Sequence, residues 1–159
     1  VEGVGEKLMK KIIFLGLLLG VFSANAMDLN TQLTAAVMAG KVTVVRDLIV
    51  QGADVNTKNS AERPLLVLAA ATGNRRTVQA LIAAGADINA VDKQGNSALM
   101  EASAFGYAEI ANQLVISGAD VNLKNGAGDG ALEKATRAGN EKIGEKLTEA
   151  GAVAAEKKE

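Results

Sequence analysis

Three stretches decide the fold: "QGADVNTKN" (residues 51–59), "AGADINAVD" (84–92) and "SGADVNLKN" (117–125). They recur at a fixed step of 33 residues. Each sets an Asp and an Asn around one aliphatic residue, just after a Gly. Working outward, the same step orders the rest of the chain. The Gly of this joint returns at Gly52, Gly85, Gly118 and Gly151, and a second Gly at Gly40, Gly73, Gly106 and Gly139. Leu33, Leu66, Leu99 and Leu132 form a column, as do Ala36, Ala69, Ala102 and Ala135, and Leu48, Leu81, Leu114 and Leu147. Four registers without an insertion define a repeat architecture.

Each unit reads as helix, turn, helix, hairpin. An Ala-rich stretch such as Thr31 to Ala39 predicts a short helix, and the Gly after it suits a left-handed C-terminal residue. "KVTVVRDLIVQ" carries apolar residues at Val44, Val45, Leu48 and Ile49, the spacing of a helix with one buried stripe. Gly52 ends that second helix in the same way. The residues from Ala53 to Arg63 carry no helical period and predict an extended turn or hairpin. No unit can bury its stripe alone, so the units must share one core.

The residues resemble the ankyrin-repeat family, whose unit has 33 residues, a T-P-L-H-x-A signature and a G-A-D-V-N end. "GADVN", "GADIN" and "GADVN" match that end. "TQLTAA", "PLLVLAA", "SALMEA" and "GALEKA" keep the Leu and Ala of the signature, while Thr34, Val67, Met100 and Glu133 replace its His. The resemblance implies an all-α solenoid of about four units. Their bounds are residues 27–52, 53–85, 86–118 and 119–151, followed by a C-terminal tail, 152–159. It also implies weaker locking between units where the His is lost. The last unit reads as a cap, because the stripe Val78, Leu81, Ile82 becomes Gly144, Leu147, Thr148.

The N-terminal part reads separately. Residues 9–26 run "MKKIIFLGLLLGVFSANA", with Lys10 and Lys11, an apolar run from Ile12 to Phe22, and small residues at Ala24 and Ala26. That order predicts a secretory signal peptide cleaved after Ala26, in a bacterial exported protein of the periplasm or beyond. The apolar run is short for a membrane anchor, the alternative reading. Residues 1–8 are expected to be an over-extended reading frame, leaving 27–159 as the domain.

Composition narrows the chemistry. The 159-residue chain has a net charge of −1, no Cys and no His. Disulfides and thiolate metal sites are therefore excluded, and the usual general base is missing. The near-neutral balance offers no footprint for nucleic acid. Asp54, Asp87 and Asp120 are spread along the stack, whereas a metal needs its oxygens gathered around one point. Together with Asn56, Asn89 and Asn122, and with Gly52, Gly85 and Gly118, they read as structural joints in which short polar side chains bond nearby backbone. "GAGDG" (126–130) lacks the Lys and the spacing of a phosphate loop and reads as a hairpin tip. The serines have no His to activate them. Neither metal nor cofactor is expected, and the chain is read as not an enzyme.

What remains is the surface. Family resemblance implies binding through hairpin tips and the exposed face of the first helices, at positions that differ between units. Those positions are Lys58, Ser60 and Arg63, then Lys93, Gln94 and Asn96, then Lys124 and Asp129, with Thr72, Phe105 and Arg137 on the helix face. Tyr107 stands beside Phe105. Aromatics are enriched as interface anchors, while filling the gap between units is the other reading for this pair. The expected partner is another protein, engaged by a chain that is monomeric alone and free of the membrane after cleavage. The concrete roles that the resemblance suggests are a partner or protector of another exported protein, or an immunity protein against a periplasm-targeted effector. The alternatives from other classes are a small-ligand binding module and an enzyme.

Overall fold

The computed structural model describes residues 28–154; the segment read as a signal peptide and the last five residues lie outside the described residues. The described residues form eight helices and no strand. They are α1 (Leu29–Met38), α2 (Val42–Val50), α3 (Leu65–Ala71), α4 (Arg75–Ala83), α5 (Ala98–Phe105), α6 (Ala108–Ile116), α7 (Ala131–Arg137) and α8 (Glu141–Glu149). Successive pairs stack in two layers. α1, α3, α5 and α7 pack side by side in one, α2, α4, α6 and α8 in the other. This is an all-α ankyrin-type solenoid.

The repeated columns explain the layers. Leu33, Leu66 and Leu99 are at most 2% exposed, and Leu81, Leu114 and Leu147 at most 1%. Between them lie Ala36, Ala69, Ala102 and Ala135, whose small side chains let the helices approach closely. Gly73 shows why the turn between paired helices needs glycine. Its φ is +73°, and a Cβ there would stand 2.7 Å from Cζ of Tyr107 in the next unit. Tyr107 is half-buried and packed over that turn, so it does fill the gap between units.

Two details differ from the sequence pattern. Val44, placed in the buried stripe by its spacing, is 41% exposed. Its counterparts Thr77, Ile110 and Ile143 are 0–3% exposed because each faces the preceding unit. Val44 has no described unit on that side. The stripe of α2 is instead Val45 and Leu48, with Val42 and Ile49 half-buried beside them. Secondly, α1 begins a turn earlier in register than α3, α5 and α7, so residues 29–31 are helical where the other units have the descending arm of a hairpin. Asp28 caps this longer helix, its carboxylate accepting from the N–H groups of Asn30 at 2.8 Å and Thr31 at 3.0 Å.

At the other end, α8 buries only Ile143 and Leu147. Thr148 and Glu149 are exposed, which gives the last unit a polar outer face.

Candidate interaction surface

The repeated acids and amides are joined across the units. Asp54 Oδ1 accepts from Asn56 N–H at 2.8 Å, Asp87 from Asn89 at 3.0 Å, and Asp120 from Asn122 at 2.9 Å. Each Asn then reaches forward. Asn56 Oδ1 accepts from Asp87 N–H at 2.8 Å, Asn89 Oδ1 from Asp120 N–H at 2.9 Å, and Asn122 Oδ1 from Val153 N–H at 2.9 Å. Asn30, delivered by the extra turn of α1, accepts from Asp54 N–H at 2.8 Å and starts the ladder. Gly52, Gly85 and Gly118 precede the joints at φ of +99°, +87° and +92°, closing the second helices. The acids therefore serve the backbone, and among the described residues no group of acidic side chains gathers closely enough to hold a metal ion.

Each hairpin tip is organised by one side chain that the sequence reading did not single out. Asn59 Oδ1 accepts from Ala61 and Arg63 N–H, Asp92 Oδ1 from Gln94 and Asn96, and Asn125 Oδ1 from Ala127 and Asp129. The 33-residue spacing of Asn59, Asp92 and Asn125 was the available signal. The tips of the third and fourth units also bond to each other. Asn125 Nδ2 donates to Asn96 Oδ1 at 2.9 Å and Gly126 N–H to the Gln94 carbonyl at 2.8 Å.

Candidate contact residues fall into two groups. Arg63 is half-buried, donating from Nη2 to Glu101 Oε2 at 3.0 Å, with Nε 3.7 Å from Asp92 Oδ2. Lys134 Nζ approaches Glu101 Oε1 at 3.9 Å, so one network spans three units. Arg137 grips Asp129 through two bonds of 2.7 and 2.8 Å, and Lys124 donates to Glu133 at 2.7 Å. The Arg137 guanidinium holds the Asp129 carboxyl below its ordinary range. Thr72 is exposed but directs its hydroxyl to the Ala69 carbonyl. Asn96 is half-buried in the bond to Asn125.

The second group faces solvent. Lys58, Ser60, Lys93 and Gln94 are exposed at the tips, and neither lysine forms an ion pair among the described residues. Phe105 is 58% exposed at the end of α5, its ring stacked 6.1 Å from Tyr107 at an interplanar angle of 28°. Tyr107 is thus both filler and support.

A family model described as ankyrin repeats (3 copies) matches residues 33–125. The chain belongs to the ankyrin-repeat family. Such repeats indicate a protein–protein interaction scaffold, in a family that is generally non-catalytic. No curated protein matches the chain. Among the described residues, no helix is long and apolar enough to cross a membrane.

Proposed function

We propose that this chain is a non-catalytic scaffold of the periplasm that binds another exported protein, as its partner or protector, through the hairpin tips and first-helix face. The observation that carries this reading is the division of labour along each unit. The repeated Asp and Asn side chains are consumed by the ladder, while the exposed residues Lys58, Ser60, Lys93, Gln94 and Phe105 differ from unit to unit. An aromatic side chain held by a stacked neighbour loses little conformational freedom when it docks, which suits an anchor. The N-terminal pattern of Lys10, Lys11 and the apolar run supports export.

The test is capture from periplasmic extract with the mature protein, its Phe105→Ala variant and its Lys93→Ala variant. The reading expects a captured protein whose yield falls with both substitutions. Equal capture by all three proteins rejects the assigned face. Arg63→Ala is a poor probe, since it strips the buried Glu101 of its shorter ion pair and perturbs the scaffold. For export, mass spectrometry of the secreted protein should find Met27 as its N-terminus.

A further inference from the structure

The early start of α1 has opened a groove at the first end of the stack. Residues 29–31 are helical, so among the described residues the first unit has no hairpin arm where the other units place one. The result is a groove of about 710 Å3 between α1, with Thr31, Thr34 and Met38, and the next tip, with Lys58, Asn59 and Ser60. Met38 is 59% exposed along it.

Elsewhere in the molecule a hairpin occupies the equivalent side of a tip. The tip of the third unit lies against that of the fourth, where Asn125 Nδ2 donates to Asn96 Oδ1 and Gly126 N–H to the Gln94 carbonyl. By the 33-residue register, Asn59 and Ser60 stand where Asn125 and Gly126 do. Asn59 carries the same side-chain donor, and its Oδ1 is already held by the turn. Among the described residues, no hydrogen bond engages Asn59 Nδ2 or Ser60 N–H. These two donors match the pair that the hairpin of the third unit satisfies further along, and here an exposed Met stands beside them.

We infer that this groove docks a tight turn of a partner protein, one that presents a backbone carbonyl to Ser60 N–H and a side-chain carbonyl to Asn59 Nδ2. The inference rests on the reading that this face binds protein, and it names the shape and chemistry that the first end accepts. The partner's turn completes the row of hairpins, with an apolar flank packing on Met38.

A cyclised peptide carrying this chain's own Val91–Ser97 sequence is the probe, because that hairpin already satisfies such a surface. It is titrated into the 15N-labelled full chain and into the chain beginning at Met27, followed by amide shifts. Saturable movement of the Ser60 amide and the Asn59 side-chain amide in either form supports the inference. Asn59→Asp should weaken binding at least tenfold without unfolding the tip, since Asp92 supports the same turn. The peptide bearing Asn96→Ala should weaken similarly. Unmoved groove amides, or equal binding by Asn59→Asp, overturn the inference. If that happens while Phe105→Ala and Lys93→Ala still lower partner capture, the broader function stands. If capture ignores those substitutions too, both fall.

Discussion

Asn89 Oδ1 accepts the backbone N–H of Asp120 at 2.9 Å, one unit further along the stack. The donor belongs to the main chain, so the bond does not depend on the Asp side chain, which is occupied in its own turn. The Asn is the member that carries information between units. Its truncation, Asn89→Ala, should therefore cost about 1 kcal/mol, the net worth of an accessible hydrogen bond. Urea denaturation followed by circular dichroism measures it, and an unchanged midpoint would remove the ladder from the account of stability.

Thr77 is fully buried, and its hydroxyl has no hydrogen-bond partner among the described residues. The same column holds Val44, Ile110 and Ile143. Thr77→Val keeps the shape and the backbone N–H that donates to Asn74, while discarding the orphaned hydroxyl. Stability should rise by about 1 kcal/mol, visible as a higher melting temperature. A fall would mean that the hydroxyl has a partner.

Glu62 is the one non-glycine residue with positive φ among the described residues, at 62°. The matching positions are Gly95 and Gly128, at 82° and 80°. A side chain in this region costs about 1–2 kcal/mol, partly offset by the greater chain entropy of Gly when unfolded. Glu62→Gly should therefore stabilise the protein by about 1 kcal/mol in urea titrations.

Part of the acid sensitivity follows from Asp28, beside the share of Asp129. The Thr31 hydroxyl and backbone N–H hold its carboxyl below the ordinary 3.8. The unfolded chain thus binds the proton more readily than the folded one, and stability falls as pH drops from about 4 through the folded value. Asn caps a helix as well as Asp without titrating in this range. Asp28→Asn should make the wild-type decline below pH 4 shallower in denaturation midpoints, leaving the share of Asp129, whereas a parallel curve would remove Asp28 from the account.

The fold was legible because its instructions are local and repeated. Gly, Leu and Ala columns at one step announce two layers of helices, and each joint reports its own turn chemistry. What escaped the sequence depends on position in the stack or on pairings between distant residues. Val44 has helical spacing, yet its exposure is set by the missing neighbour on its side. Asn30 falls outside the register of Asn56, Asn89 and Asn122, and reaches Asp54 only because α1 starts early. Among candidate contact residues, Arg63 meets Glu101 across 38 positions, in a column that reads Ala35, Leu68, Glu101, Lys134 and shows no pattern. Those pairings withdraw Arg63, Arg137 and Asp129 into the scaffold's own bonds and leave Lys58, Lys93 and Phe105 outward.

The end of the ladder also bears on how such a chain can grow. Asn122 closes on Val153, where the earlier joints have Asp, and the register puts Ala155 where they have Asn. Val153 can receive the bond because a main-chain N–H suffices, but Ala155 has no side-chain carbonyl with which to pass it on. Gene duplication that places a copy of residues 119–151 after Gly151 would keep the seam, because the copy brings its own Asp to receive the bond and its own Asn to pass it on. Duplication of residues 53–85 or 86–118 would insert a unit that both receives and transmits. Lengthening by tandem duplication is therefore open to every unit that carries both members of the joint, and the seam stops only where residues 153 and 155 stand in their place.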